Sequence, residues 1–209
     1  MMMFTSTVLA MALLPGLTSS GRAADANDAN ATVDKAIKAL GGQEKLSKIK
    51  AASWKSKGTI SLMGNDNMFT TQSTVQGLDH INREFEGDFG GNRVKGLTVL
   101  AGDKGWRKFG ENPMDLDSNG VANEKRTLYL TVVPLLVLPL KGKEFKLEAI
   151  GDENIDGKPA AGIKATGPDG KDFKLYFDKQ TGLPVKLVAR VAGFMGDEYT
   201  QETTFGDYK

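Results

Sequence analysis

Cysteine is absent from this 209-residue chain, and histidine occurs once, as His80. The first absence removes disulfides, thiolate nucleophiles, iron–sulfur clusters, cysteine zinc sites and a lipid-modified cysteine. The second leaves no usual zinc site unless several carboxylates converge on His80. No G-x-S-x-G elbow occurs, so a serine triad built round that histidine lacks its nucleophile motif. The formal net charge is +1, so neither a nucleic-acid surface nor an anionic-membrane surface follows from bulk charge. No apolar run reaches the roughly 20 residues that a membrane-spanning helix needs.

What is present is an ordinary globular composition, 40% hydrophobic and 25% charged, of a length that favours one domain with a tail. Val8 to Leu14 is a short apolar stretch, followed by Pro15-Gly16 and the small or polar residues Thr18 to Gly21. Cleavage after Ala23 puts Gly21 and Ala23 at the two small-residue positions of a signal peptide over residues 1–23. The opening MMMFTS lacks the usual basic residues, and the alternative is a buried or frayed N-terminal helix. Loss of residues 1–23 removes Arg22 and no acid, leaving a formally neutral, soluble, periplasmic or otherwise extracytoplasmic protein.

Residues 24–31, with the polar DANDANA, read as a flexible lead-in to a domain over 32–209. Val33, Ala36, Ile37 and Leu40 then form one helical stripe, with Asn30 or Thr32 as N-cap and Gly41-Gly42 as the stop. A second short turn follows, with Leu46 and Ile49 facing inward. Beyond it the period changes to 2, in Thr59–Leu62, Phe145–Ala149, Phe173–Phe177 and Val185–Val191. Turn signals separate these stretches: Gly64-Asn65-Asp66, Gly90-Gly91-Asn92, Asp103-Lys104-Gly105, Asp156-Gly157, Pro168-Asp169-Gly170 and Lys179 to Gly182. The fold class is therefore mainly β within α+β: a curved antiparallel sheet, one face dry, covered by a few helices.

The cover is the run VVPLLVLPL, residues 132–140. Val121, Leu128, Val132, Leu135 and Leu136 keep helical spacing after the N-cap cluster Asp117-Ser118-Asn119. Pro134 kinks or ends that helix and Pro139 closes the segment. Each Val or Leu fully buried contributes about 1.5–3 kcal/mol, so the seven in this run belong against the sheet. They lie there as a permanent core plug or as a lid over a cavity.

Asp156 to Val191 resembles the second half of the LolA/LolB-like lipoprotein-carrier superfamily. The resemblance rests on Asp156-Gly157 with Pro159, then Phe177-Asp178, then Thr181-Gly182-Leu183-Pro184 and Lys186. Ala39 to Gly42, Leu46, Ile49 and Gly105-Trp106 are similar to uncharacterised secreted members. The resemblance implies an incomplete β-barrel closed by helices over a hydrophobic cavity for acyl chains. The chain departs from the family in lacking its Arg-Pro strand. It also ends at Lys209, where similar proteins continue into another hairpin.

The ligand-binding residues expected on this reading are Leu128, Val132, Leu135, Leu136 and Leu138 as lid, and Trp106, Phe109, Phe177 and Leu187 as walls. The partner is a lipid or lipidated protein, the protein is a monomer with no cofactor, no nucleic acid and no catalytic role, and carriage is non-covalent. The alternative is an extracytoplasmic protein-interaction or sensor domain with a filled core; a hydrolase has only weak acidic clusters behind it. Asp115 to Gly120 matches half of a calcium loop, but Arg126 holds the position of the bidentate acid, so a helix cap is favoured. His80 reads as a surface residue not obliged to pair with Asp79, and Asp152, Glu153 and Asp156 as a solvated turn.

Overall fold

The computed structural model describes residues 20–62, 65–192 and 198–208; most of the expected signal peptide, and Gly64 of the first expected turn, lie outside these. Helix α1 spans Ser20–Ala39. It starts well before the predicted cap, and DANDANA is helical. The cause is visible in the packing: Ala29 is fully buried, extending the stripe of Val33, Ala36 and Ile37 back by one turn. The predicted stop is present as a Schellman closure, with Gly42 N donating to Ile37 O at 2.8 Å and Gly41 N to Lys38 O at 3.1 Å. Both glycines have positive φ. Helix α2, Gln43–Ser47, buries Leu46.

Six strands follow as a meander, β1 (Ala51–Leu62), β2 (Asn65–Gln76), β3 (His80–Phe89), β4 (Asn92–Ala101), β5 (Lys104–Phe109) and β6 (Asn112–Asp115), paired in that order. After helix α3 (Ser118–Leu136) and a 3₁₀ turn (Leu138–Lys141), a second meander runs β7 (Lys146–Ile155), β8 (Lys158–Thr166), β9 (Asp172–Asp178), β10 (Pro184–Ala192) and β11 (Glu198–Thr204). All pairings are antiparallel, as the alternation predicts. The half-barrel is realised as two sheets of six and five strands, and among the described residues neither closes on itself.

Helix α3 lies between the sheets and gives one stripe to each. Tyr129, Leu130, Val133 and Val137 join the core under β7–β11, with Ile163, Phe173, Leu175, Phe177 and Leu187. Val121, Leu128 and Val132 pack instead on Val75, Ile81 and Leu100 of the first sheet. Tyr129, Phe145 and Phe173 meet with ring centroids 5.9–6.3 Å apart, within the range of favourable aromatic pairs. Asp117 caps the helix as expected, its carboxylate accepting from Gly120 N at 2.7 Å. Pro134 does not end the helix. It lies in the last turn, where only Leu130's carbonyl loses a donor, and the helix runs two residues further.

The break comes at Val137, whose φ of 57° is rare for a β-branched residue and costs of the order of 1–3 kcal/mol. Complete burial of its side chain and its N–H bond to Val133 O at 2.7 Å hold it there.

The F-D-x-x-T-G-L-P motif proves to be a docking turn. Asp178, 7% exposed, accepts from Gln180 N (2.9 Å), Thr181 N (2.7 Å) and Thr181 Oγ1 (3.0 Å). Those bonds, led by the one from Thr181 N, hold its carboxyl below the usual carboxylate range. Gly182, at φ 79°, passes so close to α1 that an added Cβ would meet Lys35 Cγ at 3.0 Å.

Candidate functional site

The end of α3 and the 3₁₀ turn overhang one corner of the first sheet, and a groove of about 660 Å³ opens there. Its floor is the start of β1 and the end of β2, where Ala52 lies opposite Val75 and Trp54 opposite Ser73. Helix α2 and the segment after it supply Leu46 and Ile49, and the turn after β2 supplies Leu78. The overhang contributes Val132, Leu135, Leu136, Leu138 and Pro139. Polar groups are confined to Ser47, Lys50, Gln76 and Glu144, besides main chain. A concavity of this size with so few polar groups is the usual form of a site for an apolar ligand, for which about 300–1,000 Å³ is typical.

VVPLLVLPL is therefore split in use. Val133, Val137 and Leu140 are core, at most 2% exposed, whereas Leu136 and Leu138 are half-buried and Leu135 is 46% exposed. Of the nine expected ligand residues, the groove gathers Val132, Leu135, Leu136 and Leu138. Leu128 sits one turn deeper, packed on the first sheet. Phe177 and Leu187, each 1% exposed, are in the filled core under the second sheet. Phe109 pairs across Gly96 and meets Phe85 edge-on at 6.4 Å, away from the groove. Trp106 pairs with Val99, and it is Gly105 and Arg107 that share the α3-facing side with Leu100 and Thr98. Trp106 thus faces away from α3. Trp54, which alternation in Ala51-Ala52-Ser53-Trp54-Lys55 signals only weakly, holds the wall position instead.

The remaining polar clusters have other roles. Arg126, 4% exposed, donates to Asp169 Oδ2 at 2.9 Å, to Arg190 O at 2.8 Å and to Asp172 O at 3.0 Å, and also to Tyr129 Oη. Burial, then the bond to Asp169, pushes the Tyr129 phenol well above its ordinary range. His80 does bond to Asp79, Nδ1 to Oδ1 at 2.7 Å, because Asp79 lies in the turn before β3 rather than on the strand. Both side chains are exposed. Asp152 pairs with Lys179, and Glu153 accepts from Tyr176 Oη at 3.3 Å. No three His, Asp or Glu side chains converge as metal ligands among the described residues.

A larger concavity of about 880 Å³ lies against the first sheet. Its lining includes Lys55, Glu84, Glu86, Lys95 and Lys108, and Glu86 is paired with Arg93 and Lys95. Charges of both signs there suit an apolar ligand poorly.

No protein-family model matches the chain, and no curated protein matches it in sequence. Solved structures do match in fold. A LolA superfamily protein from Nitrosomonas europaea superposes with a TM-score of 0.51 at 12% identity, covering 87% of this chain and 78% of its own. A putative outer membrane lipoprotein-sorting protein domain from Vibrio parahaemolyticus gives 0.46 at 10% identity, covering 85% and 79%. A DUF1329 family protein from Desulfovibrio piger gives 0.45 at 15% identity, covering 81% and 75%. With two antiparallel meanders, a helix between them and the first of these superpositions, the chain shares the fold of that Nitrosomonas europaea protein.

Proposed function

We propose that this protein binds an apolar ligand, an acyl chain of a lipid or lipidated protein, in the groove under the end of α3. It acts outside the cytoplasm, residues 1–23 serving as its signal peptide, and carries its cargo without covalent chemistry. The observation that supports this most is the lining: Ile49, Trp54, Leu135, Leu136 and Leu138 border one open space that no described element fills. The fold shared with a LolA superfamily protein is compatible with it. Burial of ligand hydrocarbon, about 25 cal/mol per Å², supplies the drive. Among the described residues no helix is long and apolar enough to cross a membrane.

The test is native mass spectrometry of protein purified without detergent, with organic extraction of whatever accompanies it. A lipid that co-purifies with the wild type and is lost from Leu136→Asp supports the reading. A bare mass, with no later uptake of a fluorescent fatty acid, removes it.

A second reading has one observation in its favour. The core under the second sheet is filled, and among the described residues β11 pairs only with β10, leaving an edge there that an extended segment of another protein can join.

A further inference from the structure

We infer that the ligand of this groove is an amphiphile with an anionic head, held at the lip where Lys50 stands. The inference rests on the apolar-groove reading and adds the chemistry of the head to it.

Two titratable side chains line the groove, Lys50 and Glu144. Lys50 Nζ donates to Ser47 O at 2.8 Å, so the ammonium is held at the lip beside α2. Neither Lys50 nor Glu144 makes an ion pair among the described residues, although charged side chains elsewhere pair freely. The surrounding chain is basic. Residues 45–50 contain three lysines and no acid, in a protein whose whole formal charge is only +1. Of these, Lys48 is paired with Glu44 at 2.7 Å, and Lys50 lines the groove.

A ligand of hydrocarbon alone covers the apolar walls and leaves the Lys50 ammonium at its edge with one carbonyl. A head bearing a carboxylate or phosphate oxygen gives that ammonium a charge-assisted bond in a partly water-excluded place. Glu144 decides the orientation. It stands by the 3₁₀ turn and repels an anion there, so the head belongs at the Lys50 lip.

The experiment titrates delipidated protein with three probes below their micelle concentrations: palmitoyl-lysophosphatidylglycerol, the uncharged monopalmitoylglycerol and palmitate. Tryptophan fluorescence reports binding. The anionic phosphoglycerol lipid is expected to bind about fivefold more tightly than the uncharged one, the size of a partly solvated ion pair, and the margin shrinks in salt. Lys50→Gln, at an exposed position, is expected to abolish the margin. Glu144→Gln is expected to strengthen the anionic lipid. Palmitate binding like the phosphoglycerol lipid shows that a carboxylate suffices, and weaker palmitate binding assigns the site to phosphate; either supports an anionic head. Equal affinity of the phosphoglycerol lipid and the uncharged lipid, or a margin untouched by Lys50→Gln, overturns the inference while leaving the apolar groove standing. Failure of all three probes removes the groove reading with it.

Discussion

Arg126 and Tyr129, three residues apart on α3, close on the same carboxylate: the guanidinium donates to Asp169 Oδ2 and the phenol to Asp169 Oδ1, at 2.9 and 2.7 Å. The guanidinium also reaches carbonyls at the start of β9 and within β10, so one buried cation ties the helix to the second sheet. Arg126→Ala leaves those carbonyls without their donor and Asp169 without its cation, and truncating one partner of a buried pair costs about 3–5 kcal/mol. Tyr129→Phe removes two hydrogen bonds from a buried site, one to Asp169 and one from Arg126, and is expected to cost about 1–3 kcal/mol. Urea titrations of both variants measure this. A loss under about 1 kcal/mol for Arg126→Ala would mean that solvent replaces its partners easily, and that the network does not hold α3 in place.

Asp178 gives the acid side of the stability profile. Its carboxyl lies below the usual range in the folded protein because Thr181 and Gln180 donate to the carboxylate. The unfolded chain therefore binds that proton more readily, so stability from this group is complete above about pH 4 and declines as pH falls through the folded value. Asp178→Ala is expected to lose about 1–3 kcal/mol at pH 7 and to flatten the acid limb of a melting-temperature profile. Tyr129 acts at the other end. Its raised folded value means that its contribution is complete below about pH 10 and is lost as pH rises beyond that. An alkaline limb that persists in Tyr129→Phe would assign it to other groups.

Much of this architecture was legible in the chain, for local reasons. Asp117 caps α3 and Gly41-Gly42 close α1 because a cap is decided within a few residues. Phe173 and Leu175 alternate with Lys174 because a strand with one wet face demands it, and all three behave as predicted. The groove was legible only in half, since it joins segments near residues 46–54, 75–78 and 132–144. The overhang announces itself as an apolar run. Its opposite wall does not: Trp54 and Val75 come together only through the register of β1 on β2. Trp106 was the more conspicuous tryptophan, yet one residue of register puts it on the far face of the sheet.

The two uses of the helix separate by substitution. Leu128, 1% exposed, is core, and Leu128→Ala is expected to cost about 2–5 kcal/mol, whatever the groove binds. Leu135 is 46% exposed, so Leu135→Asp is expected to change stability by no more than about 0.5 kcal/mol. It nevertheless puts a carboxylate on the groove wall, and uptake of a fluorescent fatty acid is expected to fall at least about tenfold, the equivalent of about 1.4 kcal/mol. Equal uptake by Leu135→Asp and wild type would place the ligand elsewhere. Chemical denaturation and dye binding on the same samples decide both points.

Trp54 carries its own reporter. The chain has two tryptophans, and Trp106 lies on the face away from α3, so Trp106→Phe leaves Trp54 as the only indole. In that variant a bound acyl chain replaces water against the ring, and the emission is expected to move to shorter wavelength. A brominated fatty acid is expected to quench it. The converse variant, Trp54→Phe, retains Trp106 and is expected to show neither change, because its ring faces away from the groove. Quenching confined to Trp106 would move the apolar ligand to the outer face of the sheet, where Lys55, Lys95 and Lys108 line the larger concavity. Quenching confined to Trp54 ties ligand hydrocarbon to the groove under Leu136 and Leu138, where the overhang of α3 leaves apolar surface with no partner in the fold.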